Sequence, residues 1–334
     1  MTVTSGSTTG IDIVDPALST AVRDGLDRVE KALRETVESA DDFVTEAARH
    51  LVDAGGKRFR PLLALLAAQF GDPTADEVIQ AAVVVELTHL ATLYHDDVMD
   101  EAAVRRGAES ANSRYTNTVA ILTGDYLFAC ASDIVSGLGP DAVRIQARTF
   151  SRLVTGQIRE TAGPQNGADP VQHYLHVVAE KTGSLIATSG RFGAQFAGAP
   201  AEVVETLTTY GEVIGVAFQL SDDLLDIASE SLQSGKTPGT DLREGIPTLP
   251  VLYALASDDP AEARLRQLVS RPLVDDGEHA EALELLRRSP AMLTARATLE
   301  EYAAEACRLL ATLPEIPARN ALQTLADFVV ARTG

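Results

Sequence analysis

From Asp76 to Asp100 the chain reads "DEVIQAAVVVELTHLATLYHDDVMD", an apolar run almost all round that closes on carboxylates. A helix without a polar face is unstable on a surface, so this segment belongs in the middle of a helical bundle. At 1.5 Å rise per residue it would span about 37 Å. A second run, residues 207 to 227, has the same character and closes on "FQLSDDLLDI". Asp96, Asp97 and Asp100 thus recur in spacing as Asp222, Asp223 and Asp226.

Elsewhere apolar residues recur at three- and four-residue spacing, as in Leu26, Val29 and Leu33 early and Ala303, Ala306 and Leu310 late. Strand-like alternation is hard to find. Breakers such as "FGDPTADE", "SGLGPDA" and "TAGPQNGADP" fall where helices of ordinary length should end. No Gly-rich linker long enough to separate domains is present. The pattern predicts an all-α, single-domain helical bundle over residues 16–334, preceded by a flexible segment, residues 1–15.

The formal net charge of -20 excludes a nucleic-acid partner, because phosphate backbones are held by an excess of Lys and Arg. An anionic substrate would need cations as mediators. Two cysteines, Cys130 and Cys307, make neither a disulfide framework nor a thiolate metal site. The first residues lack a basic segment followed by an apolar one, and no later run reaches the length of a membrane span without polar interruption. The expectation is a soluble, cytoplasmic protein.

At 100° per residue each aspartate triplet occupies one helix face. Carboxylates packed so closely repel one another unless cations lie between them. Magnesium suits oxygen donors and binds through one or two carboxylates together with substrate phosphates. Most charge runs are merely solvated faces, and the chain supplies its own controls. Asp41-Asp42, Asp258-Asp259 and Asp275-Asp276 also pair, yet none has the third aspartate or the apolar helix before it.

Cations flank the first triplet: Arg105 and Arg106 follow it, and "GGKRFRP" sets Lys57, Arg58 and Arg60 before Pro61. Proline at a first helical position would place these cations at a helix N-terminus, a favourable place for phosphate. His89 lies two turns before Asp96 on the same face.

These stretches resemble the trans-isoprenyl diphosphate synthases, or polyprenyl synthetases. "GGKRFRP", "ELTHLATLYHDDVMD", "RRG", "GDYLF", "KTGSL", "FQLSDDLLD" and the "GK" before "DLREG" stand in the family's order over nearly the whole chain. The resemblance implies the isoprenoid synthase fold, helices around a deep central cavity, with the two acidic motifs facing each other across its mouth. It implies Asp96, Asp97, Asp100 and Asp222 as ligands to magnesium, three ions with substrate bound, with Asp223 and Asp226 at the remaining acidic positions. It makes Arg105, Lys181 and Lys236 contacts to an allylic diphosphate, and Lys57, Arg60, His89 and Arg106 the pocket for isopentenyl diphosphate. Thr182 and Gln219 match positions near the reacting carbons. A homodimer is implied as well, with at most transient membrane association when a lipid-soluble product is delivered.

Departure of diphosphate from a prenyl carbon needs its charge neutralised, which divalent ions with Lys and Arg supply. No protein nucleophile is required, and the chain offers no nucleophile-elbow or HExxH signature. One departure from the family is Ile246, where "DLxxGKxT" becomes "DLREGIPT". Lys236 or Arg243 is a candidate replacement for the missing lysine. Gln157 and Glu160 in "GQIRE" receive no role.

In the family, large side chains four and five positions before the first aspartate stop chain growth; here Thr92 and Ala91 are small. That implies a long product of about six to ten isoprene units, each roughly one helical turn in length. The competing expectation is that both residues pack against another helix while Phe128 or its neighbours set the limit. A farnesyl or geranylgeranyl diphosphate synthase with a shorter product is the alternative within the family. A catalytic or regulatory subunit of a heteromeric synthase is another, though regulatory or partner subunits usually lack one or both acidic motifs, so the intact pair counts against that reading. A terpene cyclase would instead vary the second motif, and a head-to-head synthase would lack "GGKRFRP".

Overall fold

The computed structural model describes residues 13–228 and 238–332, and there the chain is helical apart from one small hairpin. In order the elements are α1 (Pro16–Thr36), α2 (Asp42–Asp53), α3 (Phe59–Ala68), α4 (Asp76–Met99), β1 (Val104–Arg105), β2 (Ala108–Glu109), α5 (Ala111–Arg114), α6 (Asn117–Gly137), α7 (Pro140–Ala162) and α8 (Pro170–Val178). A π turn (Ala179–Gly183) leads into α9 (Ser184–Phe196), followed by α10 (Ala201–Ala228), α11 (Thr240–Glu244), α12 (Leu249–Ala256), α13 (Ala263–Val269), α14 (Asp276–Arg288), α15 (Pro290–Leu310) and α16 (Pro317–Ala331). The all-α expectation is borne out. The expected flexible segment lies outside the described residues up to residue 12, and so does Lys236.

Packing divides the chain into two compact units. The first comprises the chain up to Arg152 with Ser184–Gly211 and Leu309–Thr324. Its core surrounds α4, whose Leu87, Leu90, Ala91 and Tyr94 have no exposed surface. The α4 helix packs against α1, α3, α6 and α9, as its lack of a polar face requires. Where α9 crosses α3 the backbones nearly touch: a Cβ on Gly193 would lie 2.0 Å from the carbonyl oxygen of Ala64. Near the C-terminal end of α4 the Tyr94 hydroxyl donates to the carbonyl of Ala47 at 2.5 Å and accepts the Leu51 N–H at 3.2 Å, which docks α2. By length and composition α4 and α6 could each cross a bilayer, but α4 is largely enclosed by protein. On α6, Ile121 and Leu122 are exposed.

The second unit comprises Leu153–Gly183, Glu212–Arg308 and the chain from Leu325. Ile227, Leu242, Val251, Leu265, Leu268 and Leu286 form its core. Ser221 of α10 donates to the carbonyl of Val329 in α16 at 2.8 Å, which fastens this end of α16 to the helix that carries the second acidic motif.

Candidate active site

The three control pairs of aspartate prove to be helix caps. Asp41 accepts the N–H groups of Phe43 and Val44, Asp275 that of Glu278, and Asp259 that of Ala261, each at the start of a helix where negative charge is favoured. The two candidate triplets stand at the opposite ends. Asp96, Asp97 and Asp100 close α4, and Asp222, Asp223 and Asp226 lie in the last turns of α10. Carboxylates there oppose the helix dipole, so their placement needs another source of positive charge.

At the end of α4 the structure divides the triplet. Asp97 has no exposed surface: Oδ1 accepts Arg105 Nε at 2.6 Å and Oδ2 accepts the Ala111 N–H at 3.2 Å. Asp96 is partly buried and Asp100 exposed, with Arg105 3.5 Å from Asp100. Arg105 reaches both carboxylates because β1 and β2 form a two-residue hairpin. Its turn residues, Arg106 and Gly107, have φ of 54° and 77°, the signature of a type I′ turn. Sequence alternation is too short to reveal a hairpin of this size.

The same turn aims Arg106 at the carbonyl oxygens of Leu51 and Gly55. The helix expected to start at Pro61 begins at Phe59, so Pro61 sits in the third helical position, where its missing N–H still costs no helical bond. Arg58 caps that helix at φ 45° and is enclosed by Glu30, Glu86 and the Val52 carbonyl, with Arg58 to Glu86 at 2.8 Å. It is thus a structural cation. Lys57 is exposed. Arg60 has a buried Nε without a partner among the described residues, and burial pulls its guanidinium down to about 10. Burial, then Arg60, Arg106, Arg58 and Arg105, hold His89 well below its ordinary 6.5, so its imidazole is neutral. Arg60, His89 and Arg106 therefore share one electropositive pocket in the first unit, offset by buried Glu86, 3.9 Å from Arg106. A lone Glu in an apolar helix signals a buried cation beside it, and Glu86 is the residue that sequence reasoning missed here.

Ala91 and Thr92 differ in surroundings. Ala91 is fully buried in the core, and its carbonyl lies 3.1 Å from the position of a Cβ on Gly124 of α6. Thr92 is partly exposed like His89 and Asp96, with its hydroxyl bonded to the His89 carbonyl at 2.7 Å. At 100° per residue Thr92 lies about 60° from His89, whereas Ala91 lies on the far side.

In the second unit Asp223 is buried and its carboxyl is pushed up to about 7 by that burial. It accepts the Tyr174 hydroxyl and Gln219 Nε2, the latter at 3.1 Å. The Gln219 carbonyl faces the Thr182 hydroxyl at 3.5 Å, so Thr182, Gln219 and Asp223 form a row. The π turn presents Lys181 and Thr182; such turns often mark functional sites. Lys181 pairs with Glu160 at 2.6 Å, and Gln157 also donates to Glu160, which gives both residues of "GQIRE" a positioning contact. Asp226 accepts the N–H groups of Thr240 and Asp241 at 3.3 Å each. Ile246 is exposed, and Arg243, a candidate replacement for the missing lysine, pairs with Asp276 at 2.7 Å. Asp222 is half-exposed, with Arg332 2.8 Å from its Oδ1.

The donor set is all carboxylate oxygen, which fits a hard divalent cation. Among the described residues no three Asp, Glu, His or Cys side chains converge tightly enough to hold an ion by themselves. That too fits an ion that takes one or two carboxylates and completes its shell with water and phosphate oxygen. Residues 41–286 match the polyprenyl synthetase family, and the chain belongs to that family of prenyltransferases. It is 54% identical over 326 residues to the nonaprenyl diphosphate synthase of Mycobacterium tuberculosis (strain ATCC 25618 / H37Rv), spanning 97% of each chain. It is 39% identical to component 2 of the heptaprenyl diphosphate synthase of Geobacillus stearothermophilus, over 84% of this chain and 87% of that one. Among solved structures it resembles geranylgeranyl pyrophosphate synthase from Corynebacterium glutamicum complexed with calcium and isoprenyl diphosphate: TM-score 0.88, 48% identity, 97% of this chain and 100% of that one.

Proposed function

We propose that this protein condenses isopentenyl diphosphate head-to-tail onto an allylic diphosphate, with magnesium, to give an all-trans polyprenyl diphosphate of about six to ten isoprene units, a unit being roughly one helical turn long. The observation that carries the reading is the placement of two aspartate motifs at helix ends where the dipole disfavours them. When bound, three magnesium ions would supply the positive charge that draws off the departing diphosphate. Asp96, Asp100 and Asp222 would hold them. Asp97 and Asp223, both buried and hydrogen-bonded, keep the motifs in shape. Arg105, Lys181 and Lys236 would bind the allylic diphosphate.

Arg60, Arg106 and neutral His89 suit the second diphosphate, with exposed Lys57 at the entrance. Thr182 and Gln219 would face the reacting carbons, held in line by Asp223. Chain growth along α4 would pass Thr92. The long product is favoured by the small Thr92 side chain and by the similarity to a nonaprenyl synthase; a geranylgeranyl product is the second reading, raised by the 48% identity to such an enzyme. The exposed Ile121 and Leu122 on α6 support a homodimer, and similarity to a component of a heteromeric synthase raises a second subunit as the rival. A cytoplasmic enzyme that meets a membrane only to deliver its product completes the reading.

The test is incubation of the purified protein with magnesium, labelled isopentenyl diphosphate and farnesyl or geranylgeranyl diphosphate. Labelled polyprenyl products of the stated length are expected. Products that stop at geranylgeranyl length would establish the shorter reading, and no incorporation by the purified protein alone would overturn the proposal of a self-sufficient enzyme.

A further inference from the structure

Arg332, which follows α16, directs its guanidinium at a single turn of α10. It lies 2.8 Å from Asp222 Oδ1, donates to Ser221 Oγ at 2.7 Å and to the Phe218 carbonyl at 2.8 Å, and stacks over the Phe218 ring at 4.3 Å. Only 11% of its side chain is exposed, against 45% for Asp222. Ser221 is fully buried and donates its own hydroxyl proton to the Val329 carbonyl, so hydroxyl, guanidinium and helix end are locked together. This is a built contact rather than a chance surface pair, whose side chains would be loosely held.

We propose that Arg332 is a tethered counter-cation of Asp222 that fixes one carboxylate oxygen, leaves Oδ2 for a divalent ion, and sets how readily the enzyme takes that ion before diphosphate arrives. The inference rests on Asp222 as an ion ligand. Two effects of Arg332 oppose each other. Holding the carboxylate in one rotamer favours coordination, but a fixed positive charge one carboxylate away from a dication disfavours it. The first is worth the rotamer freedom of one short side chain. The second is repulsion of a doubly charged ion at close range, weakened by the half-exposed setting. Repulsion is the larger, so Arg332 restrains ion binding by the empty site and yields once diphosphate supplies compensating negative charge. Arg332 acts through Asp222 and is a positioning residue.

The test measures free Mn²⁺ by electron paramagnetic resonance during titration of the full-length protein, without diphosphate, for wild type, Arg332→Gln, Arg332→Lys, Asp222→Ala and the Arg332→Gln/Asp222→Ala double variant. Arg332→Gln is expected to bind Mn²⁺ about three- to tenfold more tightly, with Arg332→Lys within about twofold of wild type because the charge is kept. The gain should vanish in the double variant. A purely structural clamp would give the opposite sign, since its loss could only weaken binding. If Asp222→Ala weakens Mn²⁺ binding while Arg332→Gln leaves it unchanged or weaker, the counter-cation role is overturned and the ligand assignment stands. If Asp222→Ala has no effect, the ligand assignment itself fails. Should Arg332→Gln not fold, Arg332→Lys decides: a change beyond about threefold from wild type overturns the charge argument.

Discussion

His89 offers the sharpest physical consequence of the electropositive pocket. Burial is the largest reason its imidazole sits well below 6.5, and Arg60, Arg106, Arg58 and Arg105 push it further. An unfolded chain has no such neighbours and takes up a proton at this residue below about pH 6.5. The folded state does not, so the contribution of His89 to stability is whole above pH 6.5 and is lost as pH falls toward the folded value. Between pH 7.5 and pH 5.5 the loss is on the order of 1 kcal/mol, the scale of one pKa unit. His89→Gln removes the titration while keeping a polar side chain of similar reach. The assay is urea unfolding of both proteins at the two pH values, read as the difference between their stability changes. Wild type should lose on the order of 1 kcal/mol more than the variant, and parallel losses would refute the picture of a neutral imidazole walled by guanidinium groups. Diphosphate should reverse the effect, because an anion in the pocket favours the imidazolium. Calorimetry at pH 6 in buffers of different ionisation enthalpy should show proton uptake on binding, and uptake of the same size in His89→Gln would contradict it.

Three further outcomes follow from packing and charge. Gly193→Ala drives a methyl against the Ala64 carbonyl at 2.0 Å and should cost about 1–3 kcal/mol, seen as a clear drop in melting temperature; an unchanged melting curve would mean that α3 and α9 are not in backbone contact. Glu86→Gln removes one counter-charge from buried Arg58 and from Arg106 and should destabilise by about 3 kcal/mol while raising the KM for isopentenyl diphosphate; a neutral effect on both would remove Glu86 from the pocket. Thr92→Phe should shorten the product by one or more isoprene units, measured by mass spectrometry of the dephosphorylated chains, whereas Ala91→Phe, forced into a filled core, should chiefly lower stability by about 1–3 kcal/mol. Unshortened product from Thr92→Phe would show that chain growth does not pass that residue.

Much of this was legible in the sequence because it is local. An apolar run without a polar face requires a buried helix, and α4 is one. The spacing that sets Asp96 and Asp100 on one face with His89 follows from 3.6 residues per turn. The same arithmetic could have distinguished Ala91 from Thr92, since five residues before Asp96 is a different face from four. What stayed hidden depends on contacts between distant positions. Arg332 meets Ser221 111 positions away and Tyr174 meets Asp223 49 positions away, and nothing in either neighbourhood announces a partner. The split of each triplet into buried and open aspartates was hidden for the same reason. Asp97 is enclosed because a two-residue hairpin folds Arg105 back onto it, and so short a hairpin has no alternation to detect. The helix at "GGKRFRP" starts earlier than its proline suggests because Arg58, held by buried Glu86 and partly buried Glu30, accepts a left-handed backbone as cap.

The most direct test of the central claim is magnesium-dependent turnover by Asp96→Ala and Asp222→Ala, each purified and shown to melt like wild type. Loss of electrostatic help at the departing diphosphate should lower kcat/KM by at least about a hundredfold in each variant, with no recovery at high magnesium. Turnover within about twofold of wild type in either variant would contradict the assignment of these two helix ends as the ion-binding groups of the reaction.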